Sequence, residues 1–80
     1  MAVKKDLHGI VYYHRKQAKL SRKELAELSG VGKTAIYDIE KGKKTVKWLT
    51  ITTILDALNI SIQFQSPLMA EYEKSSSENT

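Results

Sequence analysis

The stretch SRKELAELSGVGKTAIYDIEKGK, residues 21–43, decides how this chain is read. It opens on Ser21-Arg22-Lys23-Glu24, where a serine and a glutamate three positions later can each bond the other's backbone N–H and so satisfy two donors that a helix start leaves open. Leu20 and Leu25 have the spacing of an apolar staple across that start. Helical periodicity then runs to about Ser29. Gly30-Val31-Gly32 interrupts it, Ala35, Ile36 and Ile39 resume it, and Gly42 stands where a helix needs a left-handed residue to close. Two short helices, residues 22–29 and 33–41, joined by a tight glycine-containing turn, make a helix-turn-helix layout.

Toward the N-terminus, Leu7, Ile10, Val11, His14 and Ala18 recur at three- and four-residue steps, which predicts an amphipathic helix from an N-cap at Asp6 to Gln17 or Ala18. His14 is expected as a partly buried member of its apolar face. Toward the C-terminus, Gly42-Lys43-Lys44-Thr45 is a basic loop, and Leu49, Ile51, Ile54, Leu55 and Leu58 predict a fourth helix ending near Asn59. Residues 50–54 are β-branched throughout, but the helical spacing persists across them and outweighs that local preference. Residues 60–65, Ile-Ser-Ile-Gln-Phe-Gln, alternate with period two, and Pro67 follows, which predicts a strand. A lone strand in a helical chain leaves its backbone donors and acceptors without a ladder, so the cheapest partner is the same strand of a second copy, through Ile60, Ile62 and Phe64. The remainder is polar, and disorder is expected beyond about Glu73. The expected organisation is therefore a helix-turn-helix unit over residues 1–59, a dimerisation strand over 60–66 and a largely disordered tail over 67–80.

The charge supports a polyanion partner. Twelve of the thirteen Lys and Arg fall between Lys4 and Lys47 against five acids, a local net charge of +7, whereas the residues from Trp48 onward carry −3. Charge alone fits a solvated surface equally well. Eighty residues with no cysteine allow one small core, without disulfide or thiolate metal site, that relies on packing or oligomerisation. No apolar run is long enough for a bilayer and no signal peptide is evident, so a cytoplasmic protein without a membrane partner is expected. The Gly-Lys-Thr of residues 32–34 resembles the end of a phosphate-binding loop, but Glu27 stands where that loop needs its first glycine, and a helix stands where it needs a buried strand. His8 and His14 are six apart on one helix, do not share a face and are joined by no carboxylate or cysteine cluster, so no metal and no cofactor is expected. No triad of nucleophile, base and acid stands out, and the expectation is that the chain is not an enzyme.

Leu25, Ala26, Gly30, Val31, Ile36, Glu40 and Gly42 match, in register, the pattern of the phage-repressor-like (XRE) helix-turn-helix family, and the resemblance covers about residues 7–60. The segment 60–65 after the fourth helix is similar to the dimerising strand of HipB-type antitoxins. The resemblance implies an all-α, lambda-repressor-like domain of four to five helices with a short C-terminal β-strand paired across a dimer. It also implies that the third helix enters the major groove, so Lys33, Thr34 and Asp38, with Tyr37 beside them, become base-reading positions. Arg22, Lys41, Lys43, Lys44 and Thr45 become phosphate-positioning residues, and Arg15 with Glu40 an interior ion pair. Two departures stand out: Lys19 replaces the glycine usual between the first two helices, and Gly32 replaces the Ser or Thr common at the cap of the third. The implied function is a dimeric repressor at a palindromic operator in double-stranded DNA, autoregulating its operon as the antitoxin beside a protein toxin. The alternatives are a solitary repressor and a protein-binding adaptor that has kept the fold.

Overall fold

Five helices follow one another in the computed structural model, which describes residues 6–78, with side chains to residue 76: α1 (Leu7–Gln17), α2 (Arg22–Ser29), α3 (Lys33–Glu40), α4 (Trp48–Ala57) and α5 (Met69–Glu78). Lys4 and Lys5 of the basic half, and residues 79 and 80 of the expected tail, lie outside the described residues.

Helix ends explain the economy of the connections. At α2 the box is closed on both sides: the Glu24 N–H donates to Ser21 Oγ at 3.0 Å and the Ser21 N–H to Glu24 Oε1 at 2.8 Å. The bond from the Ser21 N–H first, and then the Ser21 hydroxyl, hold the Glu24 carboxyl below its usual range. At their C-termini α1, α3 and α4 share one device, in which a left-handed residue just past the helix sends its N–H to the third-last carbonyl position of the turn while the next N–H reaches one residue further back. Lys19 (φ 60°), Gly42 (φ 80°) and Asn59 (φ 59°) occupy the left-handed position. The paired bonds run from Lys19 to Lys16 and Leu20 to Arg15, from Gly42 to Ile39 and Lys43 to Asp38, and from Asn59 to Asp56 and Ile60 to Leu55, at 2.9–3.1 Å. After α1 and α4 the residue that follows, Leu20 or Ile60, folds back onto the core. After α3 it is Lys43, which stays in solvent.

Val11, Leu25, Ala26, Ile36, Ile39, Ile54 and Leu55 form the core, flanked by half-buried Leu20, Val31, Val46, Ile51, Ala57, Leu58 and Ile60. α3 is the shared element, packed against α1, α2 and α4, and α2 also packs on α4. The β-branched run in α4 is helical because Ile51, Ile54 and Leu55, at helical spacing, pack into the core; the Thr52 and Thr53 hydroxyls are satisfied along the helix, both donating to the Leu49 carbonyl at 3.0 and 2.7 Å.

Three expectations need correction. His14 is exposed, its Nδ1 donating to the Ile10 carbonyl at 2.7 Å; the face that α1 turns inward is Val11 and Arg15, one turn apart. Residues 61–66 form no strand in this single chain: all are exposed, and a ladder needs an edge that helices do not offer. Residues 69–78 are helical rather than disordered, since Met, Ala, Glu and Lys are good helix formers and Pro67 lies just ahead of the start. Among its described side chains none is buried, and Tyr72 stands out in solvent.

Candidate nucleic-acid interface

The interface is built around one carboxylate. Glu40, in the last turn of α3, accepts from Arg15 Nε at 2.6 Å and Nη2 at 2.9 Å, a two-pronged pair, and from Arg22 Nε at 3.1 Å. The Glu40 and Arg15 side chains are 3% and 7% exposed, and Arg15 Nη1 also donates to the Leu20 carbonyl at 2.9 Å, so this buried charge is both paired and saturated. Burial by itself pushes the Glu40 carboxyl up, but Arg15 and then Arg22 outweigh it and bring it below the usual range; the bond to Glu40 raises Arg15 in turn. Glu40 thereby ties α1, α2 and α3 together. Among the described residues no buried polar side-chain atom lacks a hydrogen-bond partner.

With Ile36 and Ile39 turned inward, the 3.6-residue period turns Lys33, Thr34 and Tyr37 outward on the other face of α3, all exposed. Two cations stand over the Tyr37 ring, the Arg22 guanidinium 5.3 Å and the Lys41 ammonium 4.8 Å from its centre. Hydrogen bonding and charge from Lys41, with a smaller part from Arg22, draw the Tyr37 hydroxyl below the usual phenol range against the opposing charge of Asp38. Asp38 is half-buried with Lys43 Nζ at 3.6 Å, a proximity set by the closure of α3, which returns Lys43 over the turn that carries Asp38. Lys41, Lys43, Lys44 and Thr45 are exposed along the loop to α4. On the other side of α3 an open cleft of about 750 Å³ is lined by Tyr12, Arg15, Lys16, Lys19, Leu20, Ser21, Arg22, Lys23 and Lys33, with five cations besides the buried, Glu40-paired Arg15 and no acid.

The helix-turn-helix pattern (HTH_3) matches residues 11–65, more than half of the chain. The chain belongs to the XRE-type helix-turn-helix family. A relative from Sinorhizobium fredii (strain NBRC 101917 / NGR234), described as an uncharacterized HTH-type transcriptional regulator y4mF, is 36% identical over 62 residues, 78% of this chain and 82% of that protein. Two solved structures share the fold. One is a HipB-O4 20mer complex with a TM-score of 0.71 and 20% identity, covering 84% of this chain and 99% of that one. The other is a HipA-HipB-O2-O3 complex with a TM-score of 0.70 and 19% identity, covering 84% and 97%.

Within this helix-turn-helix domain the sequence-predicted residues fall into three places. Lys33, Thr34 and Tyr37 share the outer face of α3 with Asp38 at its edge; Lys41, Lys43, Lys44 and Thr45 border it; Arg22 lies against Glu40 and Tyr37. Tyr12, Lys16, Lys19 and Lys23 escaped the sequence reading. Their signal was a run of cations at three- and four-residue steps, 16, 19 and 23, that continues across the break between two helices and therefore resembles no single helical face. Ile60 and Ile62 line a shallow apolar groove of about 640 Å³ with Leu7, Ile10, Trp48, Ile51 and Leu55, while Phe64 is 70% exposed beside it. Among the described residues no cluster of His, Cys, Asp or Glu has the makings of a metal site, and no helix is long and apolar enough to cross a membrane.

Proposed function

We propose that this helix-turn-helix protein is a sequence-specific repressor that binds a palindromic operator in double-stranded DNA as a homodimer and autoregulates its operon. The observation that carries the reading is the exposed face of α3, Lys33, Thr34 and Tyr37, bordered on both sides by cations. On this reading Lys33 donates to guanine O6 and N7, Thr34 offers a methyl to thymine or a hydroxyl to a base edge, and Asp38 accepts from cytosine N4. Lys41, Lys43, Lys44 and Thr45 position the backbone on one side, and Arg22 with Lys16, Lys19 and Lys23 extends the same phosphate surface on the other. The unladdered segment 60–66 pairs antiparallel with its copy across the two-fold axis, and Ile62 and Phe64 find cover there. Selection of duplexes from a random library, followed by gel-shift titration of the enriched palindrome and a scrambled control, tests this. Enrichment of a two-fold symmetric sequence is expected, and equal binding to both duplexes refutes it.

The finer role is that of an antitoxin beside a protein toxin. Its support is the fold shared with HipB, seen in a complex that also contains HipA, and an α5 whose Tyr72 is exposed. Co-expression with the product of the adjacent gene decides it: a stable complex that still binds the operator is expected, and absence of any complex leaves a solitary repressor.

A further inference from the structure

Arg22 has the position of a phosphate contact, but its surroundings give it another task. Its Nε is bonded to Glu40 at 3.1 Å, and its guanidinium lies 5.3 Å from the centre of the Tyr37 ring. Glu40 is itself almost fully buried and held in place by two bonds from Arg15, so the anchor beneath Arg22 does not move. On the Tyr37 side Lys41, four residues on along α3, puts its ammonium 4.8 Å from the same ring centre. Tyr37 is 42% exposed, and nothing in the core fixes its ring. An exposed tyrosine otherwise samples several side-chain conformers, and a base-reading group that must be ordered on binding loses part of its discrimination to that ordering.

We infer that Arg22 is a positioning residue: anchored on buried Glu40, it and Lys41 clamp the Tyr37 ring in one orientation on the outer face of α3, and its contribution to operator recognition is exerted through Tyr37. The clamp uses the planar, delocalised guanidinium in a way that an ammonium does not reproduce, because one group must face a carboxylate and an aromatic ring together. The Tyr37 hydroxyl, drawn below the usual phenol range first by Lys41 and then by Arg22, is a second sign of the same closeness. Asp38 is the remaining charged group that acts on the ring and opposes the two cations, while Lys43 partly offsets it.

The inference rests on the proposed base reading, and two measurements keep the two apart. In the free protein, proton NMR should show the Arg22 δ-methylene signals displaced upfield by the Tyr37 ring, a displacement lost in Tyr37→Leu and kept in Tyr37→Phe. Signals at unperturbed positions overturn the clamp whatever the DNA does. On the enriched palindrome and its scrambled control, Arg22→Ala should lower the selectivity ratio roughly two- to fivefold, the worth of an exposed cation–ring contact. In the Tyr37→Leu background the same change should leave that ratio unaltered. Arg22→Lys should retain affinity for both duplexes without restoring selectivity. An equal loss on both duplexes, repeated unchanged in the Tyr37→Leu background and rescued by lysine, makes Arg22 a plain phosphate contact and overturns the inference. A wild-type protein that does not distinguish the duplexes overturns the base reading and the inference together. Arg15 keeps Glu40 bonded in every variant, and far-ultraviolet circular dichroism checks that the fold is retained.

Discussion

Replacing Glu40 with glutamine changes one atom type and little volume, yet it removes the charge and one of the two acceptor oxygens on which three helices converge. In Glu40→Gln the Arg15 guanidinium, 7% exposed, keeps its bond to the Leu20 carbonyl but loses its charge partner, and the amide presents donors where donors already stand. Removing one partner of a buried pair costs about 3–5 kcal/mol, since the remaining charge stays desolvated. The Arg22 side chain is 40% exposed and adds under about 1 kcal/mol after solvent screening. A domain of this size changes its Tm by about 4–8 °C per kcal/mol, so a fall of roughly 12–40 °C is expected, close to the whole margin of a small domain. The pH dependence carries a second signature. Because Arg15 and Arg22 hold the folded-state carboxyl of Glu40 below its unfolded value, near 4.3, the pair stabilises fully above that value and is lost as pH falls through the lower, folded one. The wild type should therefore lose stability between neutral and strongly acid pH more steeply than Glu40→Gln. Urea titrations followed by circular dichroism at several pH values measure both. A cost below about 1 kcal/mol, with parallel acid limbs, would mean that the pair behaves as a surface contact and that the core alone holds α1 to α3.

Lys33→Ala and Thr34→Ala, at exposed positions, should each reduce the preference for operator over scrambled duplex by about 1–3 kcal/mol in gel-shift titrations while leaving Tm unchanged. Lys44→Ala should weaken binding to all duplexes alike and flatten the slope of log K against log salt by roughly one unit; Lys43→Ala should do the same and also expose Asp38 to the phosphates, so its loss of affinity should be the larger. Ile62→Pro, which removes a ladder donor together with an apolar side chain, should shift the protein toward monomer in sedimentation equilibrium with its helical content retained, and a dimer of unchanged strength would transfer the interface to the helices. Gly30→Ala should cost about 1–2 kcal/mol in urea titration although space is open around it, because φ is +80° there.

The central helices were legible because their signals are local. The Ser21 and Glu24 box, the left-handed glycines at 30 and 42 and the apolar steps through Ile36 and Ile39 each act within one or two turns of the chain. What the sequence concealed depends on pairing over distance. Periodicity alone leaves Arg15 a solvated cation, and it is the family resemblance that sets it against Glu40, 25 residues on; that partner is what turns Arg15 inward and His14 out. The second cation on Glu40 and the ring beneath Arg22 and Lys41 are likewise products of tertiary proximity, with no periodicity to announce them. Segment 60–66 has the alternation of a strand, but alternation states only which side chains share a face; the partners of a ladder must come from elsewhere, and among the described residues no strand lies beside it. The helix over Met69–Glu78 was missed because low apolar content says that a segment cannot build a core, which is a different matter from whether its residues favour a helical backbone.

Lys19 joins two properties that usually vary independently. Its left-handed backbone closes α1 at a strain of about 1–2 kcal/mol relative to a relaxed residue, and its ammonium stands in the cleft with Lys16 and Lys23. A glycine relieves the strain and deletes a charge in the same step. Selection for thermal robustness alone would therefore drive position 19 toward glycine and weaken the electrostatic pull on a polyanion, whereas selection for faster capture of that polyanion keeps the lysine at a lower melting point. Heat tolerance and reach for DNA are traded along a single backbone torsion.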